Sequence, residues 1–224
     1  ATLNHVYRLV WNIANQLWIP VAETSRHHGK SGKSRAVALL GTGILTLFIG
    51  SQASALPNGG VVSSGSGQIS QTSSQLTVSQ QSQNLAVNWQ SFDIASNQTV
   101  TFNQPNTNAI ALNRVLGQNS SSILGKLNSN GQIFLINPNG ILFGQSAQVS
   151  VGGLVATTLN LSDADFNQGI YNFSGGSTAS VVNNGKLSAT TGGYVALLGA
   201  SVSNANASSG GGGGGNGNGN GHGN

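Results

Sequence analysis

Punctuation is what most constrains this chain. Asn58-Gly59, Asn130-Gly131, Asn139-Gly140, Gly152-Gly153, Gly175-Gly176, Asn184-Gly185 and Gly192-Gly193 recur at short intervals. Asn and Gly adopt positive φ at little cost, so each pair marks a place where the chain can turn. The runs between them have strand character. "AQVSVGG" alternates, with Val149 and Val151 on one side and Gln148 and Ser150 on the other. "QLTVSQ" does the same with Leu76 and Val78. "QIFLI" and "ILF" are apolar on both faces, as in strands covered on both sides. "TVTF", "AIAL", "YVALL" and "ASVS" continue the series. Beyond Leu56 no stretch sustains an apolar stripe at helical spacing, so the expected class is all-β.

Between "QIFLI" and "ILF" stands Asn137-Pro138-Asn139-Gly140. Pro138 fixes its own φ and holds Asn137 extended, so the unit ends one strand and turns the chain before the next at Ile141. Two architectures satisfy this pattern. In a sandwich or meander the strands pair as hairpins across the turns. In a parallel β-helix each turn bends the chain, and each strand stacks on the one a coil earlier. Short strands about 20 residues apart, with Val182 and Val202 expected as partners, abundant amides at the bends, and scarce charge favour the coil. Stacked like charges repel along a ladder.

Charge also limits function. Only 5% of residues are charged, against about 25% in ordinary soluble domains. The net charge of +4 is misplaced as a guide, because Arg8, Arg26, Lys30, Lys33 and Arg35 all precede residue 36. From Leu56 onward, Arg114, Lys126 and Lys186 balance Asp93, Asp163 and Asp165. That is no basic face for nucleic acid. Without cysteine there is no disulfide scaffold, thiolate metal site or Cys nucleophile. No His lies between Leu56 and Asn206, so no Ser-His-Asp triad can be built there. Asp163 and Asp165 share "LSDADF", expected as a solvated loop flanking the coil; two carboxylates fall short of the 6–8 oxygens calcium takes. Asp93 is expected as a paired strand residue. No cofactor or catalytic residue is expected.

The first 55 residues read as an address. The basic run "RHHGKSGKSR" precedes the uncharged "AVALLGTGILTLFI", and Ala53-Ser54-Ala55 follows. This is the secretory pattern, with cleavage expected after Ala55 and Ala53 as the second small residue. The apolar run is too short for a spanning helix of about 20 residues. "GKSGKS" is no phosphate loop, because Thr24 and His27 stand where an upstream Gly is needed. The segment from Asn4 to Glu23 resembles the extended signal peptide region of large Gram-negative exported proteins, through Tyr7-Arg8, Val10-Trp11-Asn12, Trp18 and Glu23.

A second resemblance covers most of the chain from Gly60 to Asn204. "NAIALNRVLG", "GQIFLINPNGILFG", "VGGLVATTLNLSDADF", "YNFSGG" and "GGYVALLGASVSN" occur in order and resemble the secretion domain of filamentous haemagglutinin-like exoproteins, the secreted partners of two-partner secretion. The resemblance implies a right-handed parallel β-helix with an N-terminal cap and extra-helical β elements. It divides the chain into an extended signal peptide over 1–55, a secretion domain over 56–207 and a flexible Gly/Asn tail over 208–224. It implies export through the Sec machinery to the periplasm and recognition by the POTRA domains of a dedicated outer-membrane β-barrel. β-Helix folding then follows at the surface of a Gram-negative cell, and the protein is secreted or stays on that surface. Host-cell or glycan receptors stand as further partners of such exoproteins.

The resemblance marks Asn137, Pro138, Asn139, Gly140 and Ile141 as a secretion or folding motif. It leaves open whether the transporter reads these residues or only the fold needs them. Secondary candidates are Asn103, Pro105, Asn106, Asn113 and Arg114. Asn103-Gln104-Pro105-Asn106 stands where family members carry an Asn-Pro-Asn-Leu motif, a departure that puts its role in question. The competing reading is a surface carbohydrate-binding or structural β-helix without a dedicated transporter, with Trp89 and Phe92, or Tyr171 and Phe173, stacking on sugars. Core filling is the commoner use of such aromatics.

Overall fold

The structure, a computed structural model, describes residues 5–12, 17–22 and 56–205. Strands are numbered in chain order. They wind into a right-handed parallel β-helix of about five turns with three faces. The first face stacks β4 (Gly67–Gln71), β5 (Gln75–Gln80), β7 (Thr99–Asn103), β10 (Lys126–Ser129), β13 (Gln148–Val151) and β17 (Lys186–Ala189). The second stacks β3 (Val61–Ser64), β6 (Asn84–Trp89), β8 (Ile110–Val115), β11 (Gln132–Ile136), β14 (Gly153–Thr157) and β18 (Val195–Leu198). The third and shortest holds β9 (Ser121–Ile123), β12 (Ile141–Phe143), β16 (Ser180–Asn183) and β19 (Ser201–Asn204).

The period-2 pattern places the core. On the first face Leu76, Val100, Leu127 and Val149 stand in register, one per coil, and all are buried. On the second, Leu85, Ala111, Ile133 and Leu154 do the same. Each large aliphatic side chain buried this way contributes about 1.5–3 kcal/mol. Where the coil starts, β3 lies antiparallel on β6 and β4 antiparallel on β5. This cap occupies hydrogen-bonding edges that would otherwise recruit foreign strands.

The second face is buried outside as well. Ala86, Leu112, Phe134, Val155 and Ala196 point away from the coil interior into a second apolar cluster. An insertion between β14 and β16 supplies the cover through Leu159, Leu161, Phe166, Tyr171 and Phe173. Phe134 meets Tyr171 edge-on, with ring centroids 5.2 Å apart. This is why "QIFLI" is apolar on both sides. The insertion carries helix α1 (Asp163–Asn167) and strand β15 (Asn172–Gly175). Outside the coil, β15 pairs antiparallel with β1 (His5–Asn12), which in turn pairs with β2 (Leu17–Ala22).

Two expectations need correction. Val202 pairs with Val181, and Val182 with Ser203. Because strand side chains alternate, the one-residue difference turns Val181 inward and Val182 outward. The "LSDADF" segment holds a one-turn helix, too short to show periodicity, started by the Ser162 hydroxyl accepting the Asp165 N–H. The repeat is also uneven. Register partners Lys126, Gln148 and Lys186 are separated by a short interval and then a long one, which holds the insertion.

Candidate functional site

The corner between β11 and β12 is built around Asn137, which is wholly buried. Its backbone N–H donates to the Thr157 carbonyl of the next coil at 2.9 Å. Its Nδ2 donates backwards to the Asn119 carbonyl and to Ser121 Oγ, both at 3.0 Å. Its Oδ1 accepts from the Asn139 N–H at 2.9 Å and from Asn139 Nδ2 at 3.3 Å. Both amide protons and both lone pairs are therefore used, which is what a buried Asn needs. The Gly140 N–H donates to the Asn137 carbonyl at 3.1 Å and closes the turn. Asn first, Pro second and Gly fourth is the residue set that type I turns favour.

Gly140 has φ +112°, and a Cβ there would lie 3.3 Å from the Ser180 carbonyl, so a side chain is opposed by both backbone and space. Ile141 points inward between Ser121 and Val181 in register. Asn139 Nδ2 donates to the Gly117 carbonyl at 2.8 Å. The Pro138 carbonyl accepts from Ser177 Oγ at 2.6 Å. Pro138 and Asn139 are themselves exposed. One corner thus ties the coil before it, the coil after it and the end of the insertion, while showing two residues to solvent.

The secondary candidates separate. Asn113 is buried, in register between Val87 and Leu135, and its Oδ1 accepts from the Trp89 indole N–H at 3.0 Å. Arg114 faces outward under the insertion. It donates to the Leu161 carbonyl at 2.7 Å, to Asp163 Oδ1 at 2.8 Å and to Asn88 Oδ1 at 3.2 Å. Asn103, Pro105 and Asn106 are exposed. Asn106 Oδ1 accepts from the Asn108 N–H at 2.9 Å, and its Nδ2 donates to Gln83 Oε1 at 2.8 Å. Ala53 and Ala55, the apolar run over 36–49 and the tail over 208–224 lie outside the described residues.

Gln104 is the residue that sequence reading overlooked. It is buried and forms a second coil-to-coil amide knot. Its Nε2 donates to Gln80 Oε1 and to the Ala109 carbonyl, both at 3.0 Å. Its Oε1 accepts from the Gly131 N–H at 3.1 Å and from the Ser129 hydroxyl. Its backbone exchanges two 2.7 Å bonds with the Asn130 amide. Gln104 precedes Pro105-Asn106 as Asn137 precedes Pro138-Asn139. Aligning on the Pro would have singled it out in place of Asn103.

The aromatic candidates for sugar stacking fill cores. Trp89, Phe92 and Phe173 are fully buried, Tyr171 nearly so, and Trp89 meets Phe92 edge-on at 5.6 Å. Asp93, expected as a paired strand residue, lies outside the strands between bridged Ser91 and Ile94, and its Oδ1 accepts the Ser122 N–H at 2.8 Å. Among the described residues no group of three or more His, Cys, Asp or Glu side chains is placed to hold a metal. No helix among them is long and apolar enough to cross a membrane. Tyr194 donates its hydroxyl to Gln132 Oε1 at 2.7 Å, and burial pushes its phenol above the usual range, with Tyr171 adding to the shift. Burial raises the Tyr171 phenol too.

A coil of parallel strands, capped by antiparallel strands and covered by an outer insertion, places the chain in the class of capped parallel β-helices. The model of the TPS secretion domain family matches residues 53–224, and that of the Extended Signal Peptide of Type V secretion system matches residues 4–52. The chain belongs to the TPS secretion domain family, which is not an enzyme family. It is similar to two heme/hemopexin-binding proteins of Haemophilus influenzae. One is 40% identical over 121 residues, covering 53% of this chain and 13% of that protein. The other is 44% identical over 102 residues, covering 46% of this chain and 11% of that protein. The chain therefore spans a small fraction of these relatives. The crystal structure of the HMW1 secretion domain from Haemophilus influenzae superimposes with a TM-score of 0.61 at 30% identity, covering 66% of this chain and 41% of that one. An extended signal peptide followed by this domain marks a protein exported from a Gram-negative cell, to be secreted or displayed at its surface. The family implies a cognate outer-membrane transporter.

Proposed function

We propose that the chain is delivered to the periplasm by the Sec machinery, is cleaved after Ala55, and is recognised there by the POTRA domains of its transporter. It then starts β-helix folding outside the cell for the exoprotein to which it belongs. The Asn137 corner carries this reading, because one buried amide completes bonds that exist only when consecutive coils are stacked. Until coils stack, those groups stay in water and the chain remains threadable. Parallel, non-local pairing is slow, which lengthens that interval. The lack of cysteine removes any chance of a disulfide locking the chain in the periplasm.

The exposure of Pro138 and Asn139 supports a second reading of the same corner, in which the transporter touches it directly. Co-expression with the cognate transporter, with assay of the culture medium beside urea unfolding of each variant, tests both. Asn137→Ala is expected to lower export and stability together. A Pro138 or Asn139 variant that loses export at unchanged stability identifies recognition at the corner. Export of the wild-type chain in cells lacking the transporter would overturn the proposal.

A further inference from the structure

Four Asn-Gly pairs lie among the described residues: Asn58-Gly59, Asn130-Gly131, Asn139-Gly140 and Asn184-Gly185. Asn before Gly is chemically labile, because a following residue without a Cβ lets its backbone nitrogen reach the Asn side chain. The Gly nitrogen gives up its proton and attacks Cγ of the Asn. A C–N bond forms, the bond to Nδ2 breaks, and ammonia leaves with that proton. The product is a five-membered succinimide. Water then opens the ring at either carbonyl, leaving aspartate or, with the chain rerouted through the side chain, isoaspartate. Water is the one co-reactant. The step needs a free Gly nitrogen and an Asn side chain that can rotate toward it.

The coil withholds that nitrogen at three pairs. The Gly131 N–H donates to Gln104 Oε1 at 3.1 Å and to Ser129 Oγ at 3.0 Å, while the Asn130 amide is held by both backbone groups of Gln104. The Gly140 N–H donates to the Asn137 carbonyl, and Asn139 Nδ2 to the Gly117 carbonyl. The Gly185 N–H donates to Asn183 Oδ1 at 3.0 Å. Gly131, Gly140 and Gly185 are all buried. The first pair is built differently. Asn58 and Gly59 are both exposed. Among the described residues, neither the Asn58 side chain nor the Gly59 N–H has a hydrogen-bond partner. What holds Asn58 is an isolated backbone bridge: its N–H donates to the Ser91 carbonyl and its carbonyl accepts from the Gln90 N–H, both at 2.9 Å. After cleavage at Ala55, only Leu56 and Pro57 precede it, and chain ends open locally at little cost.

We propose that Asn58 is the deamidation site of the folded, exported protein, and that stacking of the coils silences the other three pairs. The proposal needs the processed, folded coil and no particular transporter contact. Its two products differ in consequence. Aspartate at this position keeps the backbone and adds one negative charge to an exposed bend. Isoaspartate adds a methylene to the backbone just ahead of Gly60. Gly60 lies against the Trp89 ring, where a Cβ would sit 2.4 Å from Cζ3. The lengthened backbone displaces Gly60 and loosens β3 on β6, so the protein ages from its cap.

The test ages processed protein from culture medium in mildly alkaline buffer, either folded or unfolded in urea, and follows each Asn by peptide mapping with mass spectrometry. In urea all four pairs are expected to convert at similar rates, because Gly follows each. In the folded protein Asn58 is expected to convert at least about tenfold faster than Asn130, Asn139 or Asn184, whose Gly nitrogens must first break hydrogen bonds. Pairs over 216–221 lie outside the described residues and are scored separately. Trp11 and Trp18 leave with the leader, so Trp89 alone reports on the cap. Its emission is expected to move to longer wavelength as isoaspartate accumulates. Asn58→Gln closes the ring far more slowly and is expected to keep its emission over the same time. Retention of Asn58 in the folded protein while the urea sample converts would mean that the bridge protects it, and the proposal falls. It falls equally if Asn130 or Asn139 converts as fast as Asn58 in the folded protein, or if the mature chain starts beyond Gly59. Should Asn58→Gln misfold, the wild-type map alone decides.

Discussion

Gln104 and Asn137 occupy comparable corners, each a buried amide ahead of Pro-Asn, yet they are held in different surroundings. The side-chain partners of Gln104 include the Gln80 amide, the Ala109 carbonyl and the Gly131 N–H, all in buried residues. Asn137 bonds buried Ser121, but its other side-chain partners belong to exposed Asn119 and Asn139. If Asn137 is lost, its Asn119 and Asn139 partners can turn to water, whereas Gln80, Ala109 and Gly131 have no such route if Gln104 is lost. The Asn137 corner alone reaches the insertion, through Ser177 and the Pro138 carbonyl. The Gln104 corner therefore stabilises the stack, and the Asn137 corner couples the stack to the outer layer that carries β15.

The largest effect should come from Gln104→Ala, about 2–3 kcal/mol in urea unfolding, because it strips bonds from buried groups. Asn137→Ala should cost less, about 1–2 kcal/mol, yet lower export at least as much as Gln104→Ala does. A reversed order of stabilities would break the contrast between the corners. Asp163→Asn removes the partner of Arg114 from a carboxylate that is 51% exposed, so it should cost only about 0.5 kcal/mol. It should speed amide exchange in α1 and β15 while leaving the ladders around Leu127 protected. Equal loosening of both would mean that insertion and coil unfold as one unit.

Alkali provides the mildest test. The Tyr194 phenol is raised above its ordinary value of 10.0 in the folded chain, chiefly by burial. Unfolding lets it release its proton more readily, so the stability tied to the neutral phenol is complete below about pH 10 and is lost as pH rises beyond it. Tyr194 bonds Gln132, whose carbonyl accepts from Gln104 at 3.3 Å. Above pH 10, exchange should therefore rise at Gly131 and Gln132 before it rises at Asn139 and Gly140. Tyr194→Phe should flatten that pH dependence.

Much of the coil was readable along the chain. Val149 and Val151 alternate as their strand requires, and "QIFLI" announced a strand covered on both sides. Asn137-Pro138-Asn139-Gly140 announced a corner through Pro and Gly backbone limits alone. Gln104 was hidden because a Gln beside a Pro looks the same buried or exposed; only its fold-distant partners Gln80 and Gly131 distinguish the two. The Val181–Val202 register was hidden for a related reason, since "SVVN" offers two adjacent valines and local pattern cannot choose between them.

By itself the sequence determined the strand class, the positions of the bends and the exported character of the chain. Those follow from backbone preferences, side-chain alternation and a linear order of charged and apolar segments. Only the tertiary structure decided which amides become buried knots, which face the insertion covers and which strand edge the leader occupies. Each of these depends on residues a coil or more apart, and their bonds acquire strength only after stacking has removed the water between them.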